Sequence, residues 1–245
     1  MTTRLVQLVA DANDPAGLAR FWSAALGWEI ALEEPDEVVV WPPGYNYPDP
    51  VALPLVFVPV PEPKTGKNRV HLDLATSSAG QHAIEVRRLL DLGAAPVDIG
   101  QGNVPWAVLA DPEDNEFCVL EPRPVYADTG PVAAVVIDSA DPAAMARFWS
   151  RAAGWDVREQ GEDFASLRSR RGVGPYLEFL YSADAKTVKD RTHLDVRPYP
   201  GGDHLAEAKQ LQDHGAVPAD IGQGDVPWVV LADPEGNEFC VLTPR

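Results

Sequence analysis

Hydrophobic and polar residues follow two alternating rhythms along the chain. The first strand-like stretch covers residues 5–10 and ends before Asp14, a helix-capping residue that is followed by proline. Beyond it, Leu18 and Phe21 begin an apolar series at helical spacing, and Gly27 stands where such a helix would end. The pattern therefore predicts a strand followed by an amphipathic helix with one buried face.

A second helical pattern covers residues 81–92 and returns at residues 203–214. Its expected inward positions are Ile84, Leu89 and Leu92 in the first copy and Leu205, Ala208 and Leu211 in the second. Between the helices lie strand-like segments: EVVVW, LPLVFVPV, RVHLDLA, WAVLA and EFCVL. DPED and DPEG join the last two segments as tight hairpins, in which Gly236 tolerates positive φ and Asp114 does so less comfortably.

The whole pattern occurs twice. Residues 14–28 return at 141–155, an offset of 127, whereas residues 64–74 return at 186–196, an offset of 122. The first copy therefore has five extra residues, which we place in the proline-rich loop around residues 41–54. A period of this length predicts a duplicated domain, with domains at residues 1–124 and 127–245.

Composition narrows the classes of partner. The chain has 245 residues and a formal net charge of −17, which repels nucleic acid and anionic membranes. No signal-like or membrane-spanning apolar run is visible, so we expect a cytoplasmic protein. The two cysteines occupy matching repeat positions and are expected to be reduced. A small-molecule ligand or substrate is the expected partner, and both a monomer and a homodimer remain open.

The motifs DPxxxARFW, HLD and DPEGNEFC, each found in order in a β-α-β-β-β pair of modules, resemble the vicinal oxygen chelate superfamily. The resemblance is to its glyoxalase-like and bleomycin resistance protein-like branch, and it covers nearly the whole chain. It implies an α+β fold of two tandem glyoxalase-like domains. Each would have two β-α-β-β-β modules forming a cup-shaped mixed sheet with helices on the outer face. The superfamily includes isomerases, dioxygenases, thiol transferases and binding proteins, so enzymatic and purely binding roles both remain open.

Strand alternation predicts which side chains enter the cups. His71 and Asp73 face away from the apolar side of their strand, and His193, Asp195 and Arg197 do so in the second copy. These His and Asp pairs are candidate catalytic groups, in which the carboxylate orients a general base. The simpler interpretation is that they are neighbours on one strand face.

Metal-binding members of the superfamily use four positions, and the resemblance maps each of them onto this chain. The mapped positions are Gln7 and Ala134, Val56 and Glu178, His71 and His193, and finally Cys118 and Cys240. The last position is normally a carboxylate, and valine and alanine cannot bind a metal. The candidate metal ligands are therefore Glu178, His71, His193, Cys118 and Cys240, for one zinc, iron or nickel ion.

Two alternatives remain open at this stage. Within one repeat, Gln7 would join His71 and Cys118, whereas across repeats Glu178 would join that pair and Gln7 would join His193 and Cys240. The favoured interpretation has no metal, because a buried free cysteine is more often a packing residue than a ligand.

Aromatic residues suggest a binding wall for a flat or hydrophobic molecule. The candidate ligand-binding residues are Gln7, Trp41, Trp106, Tyr176, Arg197 and Trp228. The sequence thus favours a sequestering, resistance-type binder or an atypical enzyme. The alternative is a metal-dependent lyase, isomerase or dioxygenase. A third possibility is that one repeat has lost its function and only supports the other.

Overall fold

A computed structural model describes residues 3–245. In this part of the chain the first repeat contains two helices, α1 (Pro15–Leu26) and α2 (Ala79–Asp91). Its strands are β1 (Thr3–Ala12), β2 (Glu29–Glu33), β3 (Val38–Trp41), β4 (Leu55–Pro59), β5 (Val70–Leu74), β6 (Ala95–Pro96), β7 (Ala107–Ala110) and β8 (Glu116–Val119). A short 3₁₀ turn, Pro124–Tyr126, leads into the second repeat.

The second repeat has the same order of elements. Its helices are α3 (Pro142–Ala152) and α4 (His204–Asp213). Its strands are β9 (Val132–Ser139), β10 (Asp156–Gln160), β11 (Phe164–Arg168), β12 (Tyr176–Tyr181), β13 (Thr192–Pro198), β14 (Val217–Pro218), β15 (Val229–Ala232) and β16 (Glu238–Val241). The expected α+β fold of paired modules is confirmed.

Local sequence signals set the ends of α1. The Asp14 carboxylate accepts a hydrogen bond from the Gly17 amide at 2.9 Å, and Pro15 occupies the first turn. Gly27 ends the helix at φ 67°, a left-handed conformation in which a side chain would be strained. Asp141 caps α3 in the same way.

The strands form two eight-stranded sheets, and each sheet combines one module from each repeat. Sheet 1 has the order β14-β15-β16-β13-β1-β4-β3-β2, and sheet 2 has the order β10-β11-β12-β9-β5-β8-β7-β6. The joints are the antiparallel pairs β1 with β13 and β5 with β9. Of the two arrangements that the sequence left open, pairing across repeats is therefore the correct one.

One large buried cluster contains side chains from both sheets and all four helices. The predicted inward faces of α2 and α4 are only partly correct. Leu89 is fully buried, but Ile84 and Leu205 are 70% and 62% exposed, and Leu92 is also exposed. The α2 residues that meet the core, Val86, Leu89 and Leu90, form a narrower stripe than the sequence pattern suggested, because only one edge of this short helix contacts the sheet.

The repeated hairpin motif stabilises the contact between helix and sheet. Asp111 lies buried in the first hairpin, and its carboxylate accepts hydrogen bonds from the Trp22 indole at 3.1 Å and from the Asn115 amide at 3.0 Å. Asp233 and Trp149 make the equivalent contact in the second repeat. These tryptophans are packing residues whose indole N–H needs a buried acceptor.

Within residues 3–245, no helix is long and apolar enough to cross a membrane.

Candidate functional site

Each sheet has an inner face that points away from the large core, and we call these faces cup 1 and cup 2. Cup 1, on sheet 1, is recognised by its buried Val9, Val39 and Val56. Cup 2, on sheet 2, is recognised by its buried Val136 and Tyr176. Because every sheet is shared, each cup contains residues from both repeats.

Strand register places the candidate residues of cup 1 in two adjacent rows. His193 lies opposite Val9, which in turn pairs with Val56. One step along β13, Asp195 lies between Gln7 on β1 and Cys240 on β16. Residues opposite one another in a sheet share a face, so this register brings His193, Asp195 and Cys240 together.

Cup 2 repeats this arrangement with two differences. His71 lies opposite Val136, whose other partner is Glu178, in place of the valine at position 56 in cup 1. Asp73 lies between Cys118 and Ala134, so alanine takes the place of Gln7. The two cups therefore share a His, Asp and Cys trio and differ in the side chains beside it.

The trios are compact. In each trio one imidazole nitrogen, one carboxylate oxygen and the thiol sulfur lie within 4.8 Å of one another. The imidazole Nε2 is 3.5 Å from the aspartate Oδ1 in both cups, and the Cys240 sulfur is 3.7 Å from the His193 Nε2. Sequence analysis singled out the histidines and cysteines as ligands but gave the aspartates only an orienting role.

One carboxylate oxygen in each trio has no hydrogen-bond donor. Oδ1 of Asp73 and Oδ1 of Asp195 are buried, and neither accepts a hydrogen bond within the described residues. A buried polar atom without a partner is unfavourable, typically by about 1–3 kcal/mol. The same deficiency recurs at equivalent positions of both cups, which argues for an electropositive partner at this point.

Burial controls the protonation of the trios. Desolvation lowers the pKa of His71 and of His193 to about 4, so both imidazoles are neutral at pH 7 and each carries a free lone pair. Burial also raises the pKa of Asp73 and of Asp195 to about 7, and the negative charge of Glu178 adds to this effect at Asp73. Burial and the neighbouring aspartate raise the pKa of both cysteine thiols, which are free and not disulfide-bonded. Without a cation, the thiols are therefore protonated and poor nucleophiles.

Gln7 and Glu178 lie beside the trios but are bound to other groups. The Gln7 amide donates a hydrogen bond to Asp195 Oδ2 at 2.9 Å, which fixes the carboxylate and leaves Oδ1 free. The Tyr126 hydroxyl donates a hydrogen bond to Glu178 Oε1 at 2.9 Å. Glu178 is not among the donors that cluster within 4.8 Å, so it stands next to the trio of cup 2 and is not part of it.

The aromatic candidates are divided between the cups. Trp41 packs partly buried against the valines of cup 1, whereas Trp106 and Tyr176 belong to the buried cluster of cup 2. Trp228 is 37% exposed, at the start of β15 on sheet 1. The last of the candidate ligand-binding residues, Arg197, is buried on β13 in cup 1.

Three residues near the cups were not predicted. Tyr126 lies in the turn between the repeats, and Tyr47 lies in the long loop of the first repeat, where no periodic pattern exists to place a side chain. Arg168 ends β11 and packs over the Tyr176 ring at 4.7 Å. Its offset of 127 from Trp41 was a signal that could have located it in cup 2.

The chemistry of each trio fits a divalent metal ion. The donors are a neutral imidazole nitrogen, a carboxylate oxygen without a hydrogen bond, and a sulfur. This mixed set suits zinc, iron or nickel and leaves room in the coordination shell for a further ligand.

Comparisons with known proteins agree with this architecture. A protein-family model described as a glyoxalase-like domain matches residues 7–120 and residues 134–242. Comparison with curated proteins gives no match.

Solved structures share the fold at low sequence identity. Glyoxalase I from Zea mays superposes with a TM-score of 0.65 at 12% identity, covering 99% of this chain and 92% of that chain. A putative dioxygenase from Bacillus subtilis subsp. subtilis str. 168 gives a TM-score of 0.62 at 14% identity, covering 99% of this chain and 85% of that chain. Likeness at this level of identity shows the arrangement of strands and helices.

Proposed function

Since the chain belongs to the glyoxalase-like domain family, we propose that it is a metal-dependent enzyme that holds a small organic molecule over a His–Asp–Cys metal site. The observation that carries this proposal is the aspartate oxygen without a hydrogen-bond donor, which lies within 4.8 Å of an imidazole nitrogen and a sulfur in both cups. Two independent cups with the same buried deficiency are better explained by a missing cation than by packing.

The trio residues would hold the ion. These are His193, Asp195 and Cys240 in cup 1 and His71, Asp73 and Cys118 in cup 2. A bound divalent cation would act as a Lewis acid toward an oxygen atom of the organic molecule. Because the cation would also neutralise the buried carboxylate and favour the thiolate, it would relieve the charge problem that burial creates.

Cup 2 has a further group for proton transfer. Burial raises the pKa of Glu178, and the Tyr126 hydroxyl fixes its orientation through the 2.9 Å hydrogen bond. A carboxyl group held in this way beside the trio is suited to accept and return a proton, as lyase and isomerase reactions require. Val56 takes this place in cup 1 and has no such capacity.

A second candidate function is metal-free binding, in which the protein sequesters a small molecule. It is favoured by the incomplete ligand sets of cup 1, where Val56 cannot bind a metal and the Gln7 amide is already bound to Asp195. The valine and tryptophan wall of this cup would then provide most of the binding energy.

Metal stoichiometry separates the two candidates. The purified chain is stripped with a chelator, loaded with excess Zn²⁺, desalted and analysed for zinc. We expect about two zinc ions per chain, one for each trio, as this three-ligand chemistry allows. Cys118→Ser and Cys240→Ser should each lose about one ion, and the double variant should retain none, because a serine hydroxyl is a poor zinc ligand.

The control is Asp91→Asn, which removes an exposed carboxylate that pairs only with Arg87 and should keep the full zinc content. Circular dichroism of each variant excludes unfolding as the cause of a loss. A folded wild-type chain that takes up no zinc would rule out the metal site in favour of metal-free binding.

A further inference from the structure

Arg197 lies in cup 1 on the same strand face as the trio. It follows Asp195 by two residues on β13, which places their Cα atoms about 7 Å apart. In the register of the sheet, its direct partner on β1 is Arg4. Two arginines therefore face each other across an antiparallel pair, which is an unfavourable arrangement for like charges unless something neutralises them.

The Arg197 guanidinium is buried, and its hydrogen-bonding capacity is not satisfied. The residue is only 4% exposed, and its Nε and Nη1 atoms have no acceptor among residues 3–245. Nε of Arg4 is also buried without an acceptor. Buried guanidinium groups are normally paired, because an unpaired buried charge is strongly unfavourable.

The surroundings of Arg197 add positive charge and a hydroxyl group. Arg4 and Arg245 both act on it electrostatically and, with burial as the larger cause, lower its pKa. The guanidinium lies 5.6 Å from the Tyr47 ring centre, and the Tyr47 hydroxyl is itself buried without a partner. In a chain with a net charge of −17, this local cluster of cations and free donors is oriented toward an anion.

Cup 2 shows how a buried arginine is satisfied when no ligand is needed. Arg168 is 6% exposed, and it donates hydrogen bonds to Asp128 Oδ1 at 2.9 Å and to the Gly174 carbonyl at 3.0 Å. The repeat offset of 122 places Ala75 at the position equivalent to Arg197. The unsatisfied cationic cluster is therefore specific to cup 1.

We infer that cup 1 recognises an anionic group, a carboxylate or a phosphate, on its small organic molecule through Arg197 and Arg4. The rest of the molecule extends along β13 toward His193, Asp195 and Cys240. This inference rests on the proposed function and adds to it the charge of the ligand. Cup 2, with Glu178 and Asp73 and without this cluster, takes a ligand of different charge.

The test compares three aromatic probes of similar size: benzoate, phenyl phosphate and uncharged benzamide. Ligand-observed NMR titrations give the dissociation constant of each probe for the full chain. We expect at least one anion to bind the wild type more tightly than benzamide, and the order of the two anions distinguishes a carboxylate from a phosphate site.

Arg197→Gln keeps a polar side chain but removes the charge, and it should weaken anion binding by roughly tenfold or more. Arg168→Gln is the matched control, because it removes an equally buried arginine that already has protein partners, and it should leave anion affinity unchanged. Arg4→Gln, on the partly buried partner strand, provides a second variant if Arg197→Gln does not fold.

Equal affinity for benzamide and both anions, unchanged anion affinity in folded Arg197→Gln, or no anion binding to the folded wild type would each overturn the inference. The zinc content of the same samples reports separately on the trios. Intact zinc binding with no charge preference would therefore reject the anion site and leave the proposed function standing.

Discussion

At the scale of single residues, the two copies of the hairpin motif differ where backbone geometry is most demanding. The turn after β7 places Asp114 at φ 65°, and the equivalent turn after β15 places Gly236 at φ 86°. Within residues 3–245, Asp114 is the only residue other than glycine with positive φ. A side chain in this region is strained, although aspartate tolerates it better than most residues.

Asp114→Gly should therefore stabilise the protein by about 0.5–1 kcal/mol, because it relieves the strain of a left-handed conformation. The measurement is urea unfolding, in which the midpoint should rise without a change in the slope. The reciprocal variant, Gly236→Asp, is the control and should lower the midpoint. A fall in the midpoint for Asp114→Gly would contradict this account.

The side chains on regular strands could be placed from the sequence because alternation has a fixed period of two. His71, Asp73 and Cys118 all face a cup, as expected from their apolar neighbours. The free oxygen of Asp73 could not be predicted, since it depends on which neighbours donate a hydrogen bond to it. Tyr126 and Tyr47 were missed because turns and loops have no period.

At the scale of elements, the loop from Pro42 to Pro54 determines how cup 1 is covered. It contacts the second repeat closely, since a Cβ atom on Gly174 would lie 1.9 Å from the Pro50 carbonyl oxygen. Arg171 pairs with Asp49 of the loop at 2.7 Å. Inside the loop, the Tyr45 hydroxyl donates a hydrogen bond to the Asp49 carbonyl at 2.8 Å.

Burial raises the pKa of Tyr45 above its usual range, so the folded protein holds this proton more tightly than the unfolded chain does. The stabilisation is complete below about pH 10, where tyrosine in the unfolded chain ionises, and it is lost as the pH rises further. Tyr45→Phe should accordingly lose less stability than the wild type between pH 9 and pH 11. Urea unfolding at both values measures this, and equal losses in the two proteins would show that Tyr45 is not protected.

The sequence located this loop by its prolines and by the five-residue excess, but not its contacts. The approach of Gly174 to Pro50 joins positions more than 120 residues apart and leaves no local signature. Helices α1 and α3 were predictable for the opposite reason, because Asp14 and Asp141 cap them through contacts three residues away. The faces of α2 and α4 were overestimated, since an amphipathic pattern does not reveal how much of a helix the sheet covers.

At the scale of the whole molecule, neither repeat contains a complete sheet. Strand β1 has β4 on one side and β13 of the other repeat on the other, and β5 depends on β9 in the same way. A single repeat would expose two unpaired strand edges, which are sites for association. Motif matching could identify the modules but not their partners, because the modules of the two repeats are nearly interchangeable in sequence.

Residues 1–124 alone should therefore form a symmetric dimer in which β1 of one copy pairs with β5 of the other, or else aggregate. Sedimentation velocity with circular dichroism tests this. Mixing the fragment with residues 125–245 is the control, and it should restore a folded species of the size of the whole chain. A well-folded monomer of residues 1–124 would contradict the dependence on exchange between repeats.

Exchange of strands between the repeats has a consequence for how this protein can evolve. A homodimer of one repeat would have two identical cups by symmetry, and every change in its gene would alter both cups. The fused chain has lost that constraint, so Arg197 and its counterpart Ala75 could diverge independently. Because the two modules of a repeat belong to different cups, the segment that was duplicated is not the unit that binds, and deleting or exchanging one repeat would disturb both sites at once.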